Sequence, residues 1–181
     1  RIVNDFRGLN QRTKRAEWPL PIVQYALDSL GGSTYFTQID LSDAFFQLPL
    51  AREHREYTAF NTGSRHVQYR VLPMGLCNST ATFQRLMTQI FHDTPWLRPY
   101  VDDLIVPASS FAELIERTEF VFARLRQAGL KMSGKKTFIG LTSVNYLGYI
   151  CSKEGIKMDP KKIETVQSWP KPLTVTQLRQ F

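Results

Sequence analysis

Asp102 and Asp103 stand side by side among apolar neighbours, with Tyr100 and Val101 before them and Leu104 and Ile105 after. Adjacent carboxylates repel, and apolar surroundings raise the cost of keeping both ionised. A divalent cation removes that cost, because hard ions such as Mg²⁺ take oxygen ligands, usually one or two carboxylates together with substrate phosphates. The pair therefore fits metal chemistry, although taken alone an Asp-Asp pair is more often an ordinary acidic turn facing water. A further acid, Asp40, closes the run Thr34-Tyr35-Phe36-Thr37-Gln38-Ile39, a strand-like stretch that needs no carboxylate beyond a turn or helix cap. If the fold brings Asp40 to Asp102, the acids can hold two metals about 3.5–4 Å apart. Such a pair activates an attacking hydroxyl and stabilises the leaving oxygen of an in-line phosphoryl displacement.

The elements that must position these acids follow from periodicity. Arg98 to Val106 is an apolar run broken in its middle by Asp102-Asp103, which reads as a hairpin with acids at its tip. Other strand-like runs are Arg1 to Phe6, Tyr35 to Leu41, Tyr57 to Phe60, His66 to Leu72 and Tyr146 to Ile150. Helical spacing predicts Pro21 to Leu30, with Ile22, Tyr25, Ala26 and Leu30 on one face and a stop at Gly31-Gly32. Asn78-Ser79 caps a helix striped by Phe83, Leu86, Met87, Ile90 and Phe91, and Ser110 to Glu113 matches a capping box that opens a helix ending at Gly129. Trp169-Pro170-Lys171-Pro172 reads as a linker into a last helix, Thr174 to Phe181. Alternating elements with short Gly/Pro punctuation and no internal repeat predict an α+β or α/β domain.

With 181 residues, 43% of them hydrophobic, the chain is long enough for one domain, or one domain with an incomplete neighbour, around a buried core. Lys and Arg number 23 against 16 Asp and Glu, a net charge of +7 that suits a polyanionic partner. Cys77 and Cys151 lack CxxC or His spacing, so a disulfide scaffold and a zinc site are both disfavoured, and a reducing compartment fits. No apolar run of about 18 residues and no secretory leader pattern is present, which speaks against a membrane span. The abrupt start at Arg1 and the stop inside a helical pattern are expected of a piece of a longer protein.

Four segments then fall in order. They are Ile39-Asp40-Leu41-Ser42-Asp43-Ala44-Phe45-Phe46, Leu72-Pro73-Met74-Gly75-Leu76, Ala81-Thr82-Phe83-Gln84-Arg85-Leu86-Met87 and Tyr100-Val101-Asp102-Asp103. In order and spacing they resemble the polymerase motifs of retroelement reverse transcriptases, closest to the gypsy class of long-terminal-repeat retrotransposons. Asn4 to Asn10 with Trp18-Pro19-Leu20-Pro21 looks like the fingers segment of that family, and Leu147-Gly148-Tyr149 like its primer grip. The resemblance implies an α+β right-hand polymerase palm, an antiparallel sheet backed by helices, with partial fingers and the start of the thumb or connection. It implies fingers over residues 1–33 and 57–73, palm over 34–56 and 74–145, primer grip and start of the thumb over 146–168, and a linker with a truncated helix over 169–181.

By the same resemblance the protein is an RNA-directed DNA polymerase using two Mg²⁺ ions, with Mn²⁺ as a substitute. Asp40 and Asp102 match direct metal ligands, with Asp103 beside them. Arg1 matches an arginine that neutralises incoming phosphates, and Asp43 and Ala44 match positions whose backbone N–H groups face the triphosphate. Phe45 matches a ring that excludes a 2′-hydroxyl, with a core aromatic as the other reading; Phe46 beside it reads as core. Met74 and Gly75 match a loop against the incoming base and template. Lys135 and Lys136 fall where a lysine protonates pyrophosphate, and the sequence does not choose between them. Implied partners are an RNA or DNA template with primer, dNTP, and RNase H, integrase and protease segments of a polyprotein, with no membrane; the implied location is cytoplasmic, inside virus-like particles. Departures include Asp43-Ala44-Phe45 where many gypsy-class relatives have Ser-Gly-Tyr, and Ser79-Thr80 where they have Ala-Pro, which leaves that helix start without a preset φ. Two rival readings are an RNA-synthesising palm polymerase, against which Phe45 speaks, and an inactive nucleic-acid-binding remnant, against which the retained acids speak.

Overall fold

The computed structural model of the chain describes residues 4–168 and 174–180. The residues expected to begin a first strand (1–3), the linker (169–173) and Phe181 lie outside the described residues. Two short helices, α1 (Arg7–Arg12) and α2 (Val23–Asp28), precede the strand β1 (Tyr35–Asp40). Tight 3-10 turns follow, then the small hairpin of β2 (Phe60–Asn61) and β3 (His66–Val67). The helix α3 (Ser79–Ile90), strand β4 (Asp103–Ala108) and helix α4 (Phe111–Gln127) come next. Strands β5 (Phe138–Leu141), β6 (Ser143–Tyr146), β7 (Tyr149–Ser152) and β8 (Gly155–Met158) lead to helices α5 (Pro160–Gln167) and α6 (Val175–Gln180).

The site rests on a three-stranded sheet in the order β4-β1-β5, with both pairings antiparallel. The residues Tyr35, Thr37 and Ile39 pair with Ala108, Val106 and Leu104, and their shared face packs under α3 and α4 against Phe83, Met87, Leu114, Val121 and Leu125. Phe36, Gln38 and Asp40 pair with Pro107, Ile105 and Asp103 on the opposite face, because side chains alternate along a strand. There Phe36 and Ile105 bury themselves against Ala26, Leu27 and Leu30 and against Val144, Tyr146 and Cys151 of the β6-β7-β8 meander. Pro107 is tolerated because β4 is an edge strand, and its carbonyl accepts instead from Arg117 Nη1 at 2.6 Å. Gly140 (φ 81°) supplies the extra residue of a bulge where β5 shifts register against Phe36 and Thr37.

The antiparallel pairings decide for α+β over α/β, and several local expectations are corrected. Tyr146 to Ile150 is not one strand: Leu147 (φ 51°) and Gly148 (φ 83°) form a two-residue left-handed turn joining β6 to β7. Tyr57 lies in a 3-10 turn at Glu56–Thr58, closed by Thr58 Oγ1 donating to the Arg55 carbonyl at 2.7 Å, and only His66–Val67 of the run to Leu72 is regular strand. The α2 helix buries Ala26, Leu27 and the following Leu30, while Ile22 and Tyr25 are 59% and 65% exposed, so its buried face is displaced from the expected one. Asn78 gives no side-chain cap to α3. Ser110 does cap α4, accepting from Glu113 N at 3.2 Å, but Glu113 reaches back one residue further than a capping box requires, to Ser109 N at 2.8 Å. The unanticipated α5 carries a signal in Asp159-Pro160, since Asp159 Oδ1 accepts from Lys161 N at 3.0 Å and proline suits a first helical position.

Thr37 and Thr118, both fully buried, share a hydrogen bond of 2.9 Å that fastens the central strand to α4. Replacing Thr118 with Val orphans the Thr37 hydroxyl and should cost about 1–3 kcal/mol, whereas the Thr37→Val/Thr118→Val double variant should be much closer to neutral. Urea unfolding of the double-mutant cycle measures this; additive losses would show that the pair is not coupled.

Candidate active site

The acids gather at one end of this sheet. Asp40 ends β1 and Asp103 begins β4 directly opposite it, so their side chains leave the sheet on the face away from α3 and α4. Asp102 sits on the adjoining turn, exposed. The turn is closed twice, by Tyr100 N donating to the Asp103 carbonyl at 3.1 Å and Asp103 N donating to the Tyr100 carbonyl at 3.0 Å. It forces Val101 to φ 55°, a left-handed conformation that a β-branched residue resists. Beneath it the buried Gln84 side chain accepts from Val101 N at 2.7 Å and donates to the Pro99 carbonyl at 3.1 Å.

Electrostatically the acids act on one another. Asp103 has an accessible surface yet a crowded underside, and that desolvation pushes its carboxyl above the usual range, helped by the charges of Asp102 and then Asp40. The Tyr146 phenol is driven well above its ordinary value by burial and then by Asp103, and its hydroxyl donates to the Arg98 carbonyl at 3.2 Å. Among the described residues, Lys136 is the cation that reaches the acids, its Nζ lying 3.6 Å from Asp40 Oδ2. Backbone pairing delivers it, because Ser133 N donates to the Asp40 carbonyl at 2.9 Å and Ser42 N to the Lys131 carbonyl at 3.0 Å. Gln47 locks this crossing, donating to the carbonyls of Ser42 and Lys131 at 2.5 and 2.9 Å and accepting from Lys131 N at 2.6 Å. Lys135 makes no such pair among the described residues.

Around this centre the other candidates take distinct places. Asp43 adopts φ 46°, a conformation aspartate tolerates, and starts the 3-10 turn Ala44–Gln47 in which Ala44 is buried. Phe45 is half-buried with its ring 5.5 Å from that of Phe83, whereas Phe46, expected in the core, stacks on Tyr69 outside it at 6.3 Å. Met74 and Gly75 (φ 92°) lie in a loop held by two asparagines. Asn10 donates to the Gly75 carbonyl and accepts from Cys77 N, both at 2.8 Å, and Asn78 donates to the Lys14 carbonyl and accepts from Ala16 N, both at 2.9 Å. Ser79 Oγ donates to the Pro73 carbonyl at 2.8 Å, a buried tie at the helix start that lacks its proline. Leu147, Gly148 and Tyr149 form the β6-β7 turn, with Asp159 N donating to the Gly148 carbonyl at 3.2 Å. Arg1 lies outside the described residues. Gln84, Gln47 and Asn10 received no individual role from the sequence, and Asn78 was expected to cap α3 rather than to tie the loop; the available signal was a polar amide inside an apolar stripe, Gln84 between Phe83 and Met87.

Among the described residues, no three His, Cys, Asp or Glu side chains converge closely enough to hold a metal ion. The donor chemistry suits a hard divalent cation even so: carboxylate oxygens only, one of them resisting its own charge, and a lysine ammonium standing beside another.

The family model for "Reverse transcriptase (RNA-dependent DNA polymerase)" matches residues 1–151. The chain is 34% identical over 183 residues to the retrovirus-related Pol polyprotein from transposon gypsy of Drosophila melanogaster, and 37% identical over 185 residues to that from transposon 297 of the same organism. Each match covers 100% of this chain but only 18% and 17% of the relative, so the chain spans under a fifth of their length. Among solved structures, a foamy viral protease-reverse transcriptase in complex with double-stranded DNA superposes with a TM-score of 0.91 at 26% identity, covering 99% of this chain and 32% of that one. The foamy viral enzyme in complex with an RNA/DNA hybrid gives 0.86 at 26% identity, over 98% and 24%.

The raised carboxyl of Asp103 yields a stability prediction. A carboxyl whose folded-state value is raised favours the folded state only while protonated, so its contribution is present below the ordinary carboxylate range and is lost as pH rises through the raised value. Without divalent metal, Asp103→Asn should therefore raise the melting temperature at neutral pH, and the gain should vanish in acid. Added Mg²⁺ should stabilise the unaltered chain more than the variant. Thermal scans across pH check this, and a gain that persists unchanged in acid would count against it.

Proposed function

The chain belongs to the reverse transcriptase (RNA-dependent DNA polymerase) family, and from that premise we propose that it is the palm-centred part of an enzyme extending a primer 3′-hydroxyl with deoxynucleotides. The observation that carries the proposal is the meeting of Asp40 and Asp103 across the β1–β4 ladder with Asp102 on the adjoining turn. Asp40 and Asp102, with Asp103 beside them, would hold two Mg²⁺ ions, for which Mn²⁺ could stand in. When bound, the ions activate the attacking hydroxyl and neutralise the charge that builds on the transferring phosphoryl group.

This chain's own residues do the rest. Lys136, already beside Asp40, is the better placed of the two lysines to give a proton to departing pyrophosphate; Lys135 is the other candidate. Backbone N–H groups at Asp43 and Ala44 face the triphosphate, and Arg1 neutralises it. Phe45, backed by Phe83, rejects ribose by overlap with its 2′-oxygen. Met74 and Gly75 lie against the base and template, and Leu147-Gly148-Tyr149 grips the primer.

The duplex of template, RNA or DNA, with primer is held mainly by backbone contacts, so its sequence is not read. The fingers, palm and primer-grip division set out for residues 1–33, 34–56, 57–73, 74–145 and 146–168 belongs to the same proposal, as do the polyprotein neighbours (RNase H, integrase and protease) and a cytoplasmic location within virus-like particles. In its support, the foamy viral relatives are described with nucleic-acid duplexes and the curated relatives as Pol polyproteins.

Primer extension on an RNA template, with and without Mg²⁺, tests the proposal, using the chain restored to the polymerase length of its relatives. Metal-dependent extension is expected, and none at all would overturn it. Asp40→Asn and Asp102→Asn should each abolish extension with the circular dichroism spectrum unchanged, since charge is lost without volume; near-normal turnover in either would remove that residue from the site.

Phe45→Ala should lower discrimination between matched dNTP and rNTP, read as the ratio of kcat/KM, by more than it lowers dNTP turnover. If Phe45 serves only the core, truncation costs up to about 3–5 kcal/mol in unfolding and both activities fall together.

A further inference from the structure

We propose that Gln84 is a positioning residue that sets the angle of the carboxylate turn, acting on Asp102 through the backbone of Pro99 and Val101. The amide is 1% exposed and fully engaged: Oε1 accepts from Val101 N at 2.7 Å, while Nε2 donates to the Pro99 carbonyl at 3.1 Å and lies 3.4 Å from Thr88 Oγ1. Pro99 and Val101 flank Tyr100, so one side chain grips the entry to the turn at two points. The grip falls at the strained place, for Val101 is one of the few non-glycine residues with positive φ among the described residues and directly precedes Asp102.

A β-branched residue released from such a conformation relaxes toward extended backbone, and that rotation would swing Asp102 away from Asp40 while the β1–β4 ladder keeps Asp103 opposite it. The grip has a firm base, because Phe83 and Met87 on either side of Gln84 are wholly buried in α3. Val101 itself is buried, so no water replaces the lost acceptor.

The assignment of Asp102 and Asp103 as metal ligands rests on the polymerase reading; the hold on the turn does not. Two variants of the 181-residue chain separate the cases. Gln84→Met keeps length and apolar packing but removes both hydrogen bonds, and Gln84→Glu keeps an acceptor for Val101 N–H. Amide hydrogen exchange followed by NMR should show Val101 losing protection in Gln84→Met and retaining most of it in Gln84→Glu, with α3 and β1 amides unchanged in both. Mn²⁺ binding, read by electron paramagnetic resonance, should weaken by about 10–100-fold in Gln84→Met, the range seen when a partner of a metal ligand is removed. Primer extension should then need correspondingly more Mg²⁺ for half-maximal rate, while primer-template affinity stays put.

Unchanged Val101 protection in Gln84→Met, or a loss of protection spread evenly over the domain, would overturn the positioning role. If Gln84→Met does not fold, Gln84→Glu decides: Val101 protection lost with the rest of the fold intact overturns the role, and protection kept supports it. A chain that shows the Val101 effect but binds no Mn²⁺ and extends no primer upholds the grip and overturns the polymerase reading instead.

Discussion

The register between β1 and β4 is the constraint on which everything else depends. Side chains alternate along each strand, so pairing Asp40 with Asp103 puts both acids on the face away from α3 and α4 while sending Ile39 and Leu104 under those helices. A slip of one residue would carry Asp103 toward the packed helices and expose Leu104. Burial of an ionised carboxylate and loss of an apolar contact would then oppose the slip together. The helix-facing hydrophobic pattern and the position of the acids are thus one decision, enforced by the core.

What the ladder leaves irregular, side-chain amides hold. Gln47, Gln84, Asn10 and Asn78 each donate to a backbone carbonyl and accept from a backbone N–H. A carboxamide carries the same donor and acceptor as a peptide group, so it can pair with backbone that has no strand beside it. Gln47 and Gln84 act on backbone adjoining the acids, and the two asparagines sit where the N-terminal segment crosses the loop before α3. Gln47 joins the backbone after β1 to that after α4, Gln84 holds the carboxylate turn, and the two asparagines bind the Gly75 loop to the N-terminal segment. The geometry around the acids is therefore carried by neutral polar groups, which add no charge to a region already crowded with it.

The turn at Asp102, α3 and α4 were legible because each has a strong local signature, a charge break in an apolar run or a long 3.6-residue stripe, although the expected hairpin is one strand, β4, joined to Tyr100 by a single bridge. Legibility failed where the signal was short or the residue misleading. Leu147 occupies a left-handed turn position usually filled by Gly, Asn or Asp, so the β6-β7 hairpin read as one strand. The strand β5 is only four residues long and broken by a bulge at Gly140, and α2 buries Leu27 rather than Tyr25. Lys135 and Lys136 could not be told apart, since adjacent look-alikes differ only in the direction the backbone gives them, and for the same reason Phe46 read as core although it stacks on Tyr69 outside it. That Asp40 faces Asp103 is a fact of register, which no local pattern contains.

The placement of β1 in the middle of its sheet has a consequence for how the protein is made. Its two partners, β4 and β5, both come later in the chain, separated from it by the 3-10 turns, the β2-β3 hairpin and α3. During synthesis β1 emerges with both edges bare, a β-branched and aromatic segment that stays without its ladder until residue 108 has left the ribosome, and without its second neighbour until residue 141 has. Such delayed, non-local pairing is slow and leaves hydrogen-bonding edges open to other nascent chains. Vectorial folding of this domain therefore favours holding Tyr35–Asp40 apart from its neighbours until most of the domain has been translated, and the acids come together late in the life of the nascent chain.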